Sequence, residues 1–163
     1  MALLLRKIRQ SRWYEAVRQP AQPVPADPLG DLNTAKNELS VWRVANDKSN
    51  LSEMVLAVAA SQERLTNIDV ALLDEAAVRD AGISIQQVDG RTPYEAARGN
   101  HHNLVALTGR NVVEIADAIR RLRDMESFTE KEVGDLIANA VEDGRITRLP
   151  RKLREDLEVQ GLI

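Results

Sequence analysis

Two carboxylates head the side chains whose type and position could do chemistry: Asp47, just beyond one expected strand, and Asp74, just beyond the next. In open parallel sheets ligands gather outside the carboxyl ends of the strands, and two acids there can hold a divalent cation for hydrolase or nuclease chemistry. Each acid also has a plain structural use, Asp74 as a helix cap and Asp47 in a loop turn. The tandem His101-His102 holds the only two histidines. Adjacent residues on a helix point about 100° apart, so these rings do not converge on one metal. No cysteine or carboxylate stands beside them at ligand spacing, and a helix-entry role bonding backbone groups is expected. Gly82, Gly90 and Gly99 are isolated, so no phosphate-cradling loop accompanies either set. With no nucleophile-base pair and no metal cluster, the chain reads as a non-enzyme that needs no cofactor and no metal.

Two other stretches carry the chemistry of recognition. Arg145, Arg148, Arg151, Lys152 and Arg154 surround Pro150 and could dock a phosphate backbone. Against that, Glu155, Asp156 and Glu158 follow at once, and no interleaved aromatic residue offers base stacking. Residues 1–18 hold Arg6, Lys7, Arg9, Arg12 and Arg18 against Glu15 alone, a balance of +4. Leu4, Leu5 and Ile8 share one helical arc, and Trp13 and Tyr14 lie beyond it as amphipathic anchors of the type enriched at binding hot spots. Pro20, Pro23, Pro25 and Pro28 follow as a stiff spacer. The arrangement reads as a tethered docking peptide for a protein partner or a second copy of the chain, giving an oligomer. Folding back on its own body as an extra helix is the rival reading.

The elements that must position these groups follow from periodicity. Leu39–Val44 alternates and is rich in β-formers, a strand. Asn50 with Glu53 suggests a capping box for a helix burying Leu51, Met54, Val55, Val58 and Leu65. Ile68–Leu73 is a second strand, and the helix between the two fits a parallel crossover. A short helix over 75–81 ends at Gly82, and Ile83–Val88 makes a third strand closed by Asp89-Gly90. Thr92-Pro93-Tyr94-Glu95 reads as a helix start. A long helix is expected from about His102 to Asp124, with Leu104, Leu107, Val112, Ile115, Ile119 and Leu122 on one stripe. Thr129 and Glu132 cap the next helix, which runs to Gly144, and a last short helix carries Leu153 and Leu157.

The expected fold is therefore α/β or α+β, with a small mixed or parallel sheet of about three strands and a helix-rich C-terminal half. The 163 residues divide into a basic arm (1–18), a tether (19–30) and one globular domain (31–163) whose helical part covers about 92–163. With no cysteine and only 3% aromatic residues, the core must be aliphatic and the protein reads as cytoplasmic. No apolar run approaches the ~20 residues that cross a bilayer, so no membrane partner is expected. Of the net charge of −3, the arm holds +4 and residues 145–163 hold +2, which leaves −9 for residues 19–144. So acidic a body repels nucleic acid unless a local patch overrides it. The leading expectation is a non-catalytic interaction or regulatory subunit of a larger assembly, docking through its arm. A nucleic-acid-associated protein using its basic ends and a metal-dependent hydrolase built on Asp47 and Asp74 are the alternatives.

Overall fold

Ala2–Ile8 forms a strand, β1, in the interior of a sheet. The computed structural model describes residues 2–19 and 21–163; Met1 and Pro20, the first proline of the expected tether, lie outside the described residues. Helix α1 (Gln10–Arg18), the short helix α2 (Ala26–Leu29) and a 3-10 turn (Gly30–Leu32) come next. Then follow β2 (Leu39–Ala45), α3 (Leu51–Ala60), β3 (Ile68–Asp74), α4 (Glu75–Asp80) and β4 (Ser84–Gln87). A 3-10 turn (Glu95–Asn100) leads into β5 (His101–Val105), α5 (Gly109–Leu122), β6 (Met125–Phe128), α6 (Glu130–Glu142) and α7 (Arg151–Val159).

The six strands form one sheet in the order β4-β5-β2-β1-β3-β6, and each neighbouring pair is antiparallel. The fold is α+β, which corrects the expected small mixed or parallel sheet of about three strands. Strands β2 and β3 do run the same way with α3 between them. They are not neighbours, however, because β1 lies between them and pairs with both. Three strands escaped the periodicity argument. In β1 both faces are buried, Leu4 and Ile8 toward one side and Leu5 toward the other, so its leucines run consecutively and fit a helical arc as well as a strand. Residues 102–105, expected to open the long helix, instead belong to β5. The helix starts only at Thr108, whose side chain accepts from the Asn111 backbone N–H in a capping box. Strand β6 has four residues, too few for alternation to register.

Helices cover both faces of the sheet. On one face Leu5, Val44, Ile68, Val70 and Leu72 pack against α3, α6 and α7 through residues such as Met54, Ile137 and Leu157. On the other, Leu4, Ile8, Val41, Leu73 and Leu104 pack against Trp13 of α1 and Ile115 and Ile119 of α5. The box at Thr129 and Glu132 and the left-handed Gly82 and Gly144 stand where sequence put them. Asn50 instead turns its carboxamide back to accept from the Ala45 backbone N–H at 2.7 Å. Thr92 starts no α-helix: its buried hydroxyl donates to the Ala57 carbonyl at 2.8 Å and fixes the loop before the 3-10 turn.

Candidate functional site

The arm does not present a docking surface. Leu4, Leu5 and Trp13 are 0% exposed and Ile8 is 4%, whereas Tyr14 stays 62% exposed. Its polar groups are taken up as well, chiefly by Asp31. That carboxylate accepts from the Arg9 backbone N–H at 2.8 Å, from the Arg12 guanidinium at 2.9 Å and from the Trp13 indole N–H at 2.9 Å. Arg6 donates to the carbonyls of Asp31 and Ser40. Four of the five residues expected to meet a partner are thus core, because an apolar segment inserted between β2 and β3 buries both its faces within its own chain.

Asp47 and Asp74 fill their plain roles. Asp74 accepts from the Ala76 N–H at 2.8 Å as the cap of α4, and Asp47 accepts from the Ser49 N–H at 3.0 Å. Those Ser49 bonds hold the exposed Asp47 carboxyl below its ordinary range. The strands that carry them are separated by β1, and no group of three His, Asp or Glu able to hold a metal occurs among the described residues. The buried charges Glu75 and Arg120 are structural: Glu75 meets Arg43 and Arg79, and Arg120 holds the Gln22 carbonyl and Asp117.

A different set of side chains converges on the β5 side of the sheet. Alternation along β2 turns Ser40 and Trp42 to the same face as His101 and Asn103 of β5, which lie opposite them in register. Together with Val58, Ser61, Val88, Asp89 and Arg91 they line a hollow of about 440 Å³. Trp42 and His101 meet edge to face, 5.0 Å between ring centres. Gly90 holds the indole in place, for a Cβ there would stand 2.6 Å from Trp42 Cη2. His101 Nδ1 donates to the Val88 carbonyl at 2.9 Å, which leaves Nε2 as the acceptor nitrogen of the neutral ring. Burial pushes His101 below the ordinary histidine value, with His102 adding to the effect.

Asp89 and Arg91 also line a second hollow of about 650 Å³, completed by Gly90, Thr92, Pro93, Arg98, Arg148, Leu149 and Pro150. Pro150 is shared in turn with a third, about 220 Å³, lined by Glu63, Arg151 and Lys152. Through these shared residues the three hollows neighbour one another in series, a track of open surface. Two cations of the expected C-terminal cluster, Arg151 and Lys152, lie at its end and Arg148 in its middle. Arg145 and Arg154 are engaged elsewhere, with Asp143 and Glu158. Arg98 pairs with Glu95 at 3.4 Å and donates to the Thr92 carbonyl, while Arg151 and Lys152 keep long exposed pairs to Glu155 and Glu63. Arg91 and Arg148 have no carboxylate partner among the ion pairs of the described residues. Sequence reasoning missed Trp42, Arg91 and Arg98 as site residues. The alternation of Ser40 and Trp42 was visible, but their neighbours come from a strand and loops far along the chain.

No protein-family model, no curated protein and no solved structure matches the chain. No helix among the described residues is long and apolar enough to cross a membrane.

Proposed function

We propose that this protein is a non-catalytic binding module that engages an extended anionic partner along the track from Trp42 to Lys152. The observation that carries the reading is the series of three neighbouring hollows in which Arg91, Arg98, Arg148, Arg151 and Lys152 outnumber the two acids, Asp89 and Glu63, on a protein whose net charge is −3. Arg91 and Arg148 have no carboxylate partner among the described residues, and exposed pairs such as Lys152–Glu63 at 3.4 Å are weak enough to exchange for a ligand. A local concentration of cations overrides a distant negative charge once that charge lies beyond the ~8 Å screening length of physiological salt. The chemistry we read here is recognition: His101, Ser40 and Asp89 stand in the track, but His101 bonds the Val88 carbonyl and Ser40 bonds Asn103 rather than each other, and no group of three metal-ligating side chains occurs among the described residues. The interaction role expected of the arm is better served here, on the surface whose charges remain unused.

Retention on immobilised heparin, read as the salt needed for elution, tests this. The wild type is expected to be retained, and the Arg91→Ala/Arg148→Ala/Lys152→Ala variant to elute at clearly lower salt. A charge-matched control, Arg79→Ala/Arg110→Ala/Lys131→Ala, should elute with the wild type. Failure of the wild type to bind at low salt, or equal elution of the two triple variants, defeats the reading.

A further inference from the structure

The track combines two kinds of surface. Its cations would suit any polyanion, but the hollow on the sheet face also offers rings, Trp42 and His101, that charge recognition does not need. Their placement is built: the indole packs so close to Gly90 that a Cβ there would collide with it, and the Val88 carbonyl sets the imidazole tautomer. Both rings are only half-buried, and His101 is held neutral at pH 7. Ser40 and Asn103 add polar groups to the same walls.

We propose that the anionic partner is single-stranded nucleic acid, with a base lodged against Trp42 and His101 and its phosphates following Arg91, Arg98 and Arg148. This rests on the binding reading above and names the ligand class for it. An acidic peptide would satisfy the arginines and leave the ring-lined hollow with no planar group to receive. A duplex would present its phosphates with the bases paired out of reach, whereas a single strand splays its bases and supplies both at once. The two hollows share Asp89 and Arg91 and so lie side by side, with Arg91 available to a phosphate next to a base in the first and Asp89 the one acid at their junction.

The test uses the full chain and a fluorescein-labelled oligoadenylate of about twelve nucleotides, within the span one small domain covers. Its duplex and a polyglutamate of similar charge are the competitors. The single strand is expected to bind about tenfold more tightly than either competitor, since stacking is worth roughly a factor of ten per base. His101→Ala and Trp42→Phe should each weaken it several-fold and leave polyglutamate binding unchanged. The chain has two tryptophans, so a Trp13→Phe variant makes Trp42 the sole reporter, and its fluorescence should be quenched on binding. Equal affinity for strand and duplex, equal affinity for polyglutamate, or a Trp42 signal that does not move overturns the nucleic-acid assignment. In those cases the anionic track survives if the Arg91→Ala/Arg148→Ala/Lys152→Ala variant still weakens binding. Absence of binding to all three probes overturns both. Should Trp42→Phe fail to fold, His101→Ala and the Trp42 fluorescence decide.

Discussion

Trp13 and Trp42 are the two tryptophans of the chain, and each has arginines close by. Around Trp13 the buried donors find an internal partner: its indole N–H and Arg12 both donate to Asp31, and the ring is fully buried between α1 and the sheet. Around Trp42 the ring is only partly buried, Arg91 has no carboxylate partner among the ion pairs of the described residues, and a hollow lined by Val58 and Ser61 lies open beside it. The residue types are the same and the roles are opposite. What separates them is satisfaction. Where a carboxylate completes the donors, aromatic and basic residues become structure; where none does, they remain available to a ligand.

The comparison breaks most sharply at the Trp13 end. Leu5→Asp places an unpaired charge at the centre of the sheet and is expected to cost about 4 kcal/mol or more, abolishing the cooperative urea transition. Asp31→Ala leaves three donors without their acceptor and should cost about 2–4 kcal/mol in the same measurement. Neither change touches the track. At the Trp42 end the balance reverses. Gly90→Ala forces the indole to shift and should cost about 1–3 kcal/mol by overpacking, yet also weaken ligand binding, which Asp31→Ala in the folded fraction does not. The smallest effect is that of pH. His101 has its folded pKa lowered by burial, so the unfolded chain binds the extra proton first as pH falls below about 6.5. Stability should therefore decline as pH drops from 6.5 toward the lowered folded value and be flat above 6.5. In His101→Gln that part of the decline disappears, as urea titrations at pH 7 and pH 5 would show.

Much of the fold was legible where local signals are strong. The capping box at Thr129 and Glu132, the turn glycines Gly82 and Gly144, and the alternation of β2 all rest on neighbours within a few residues. Strand β1 was not legible, because burial on both faces removes the alternation that distinguishes a strand from a helix. Strand β5 was hidden by coincidence: Leu104 and Leu107 continue the periodicity of α5. Only Thr108 and the left-handed Ala106 mark the break, and the backbone angle of Ala106 is not visible in sequence. The site was less legible still. The basic cluster around Pro150 could be read from the chain, but only the fold brings Arg148 beside Arg91 and sets His101 against Trp42. The aromatic residue that the basic run lacks in sequence, Trp42, lies more than a hundred residues away in the chain.

Strand β1 leaves the ribosome before either strand that flanks it. Until Asp74 has been made, Leu4 and Leu5 have no complete slot to enter, and an apolar segment must wait in water while the rest of the chain is synthesised. In that interval Arg6, Lys7 and Arg9 act as gatekeepers that keep the waiting leucines from pairing with other chains. The same residues are trypsin sites, so nascent chains halted at Ala60 should be nicked at Lys7 and Arg9, and chains extended beyond Phe128 should resist. Only after β3 arrives can β1 take its place between its two neighbours, so it folds later than its place in the chain suggests.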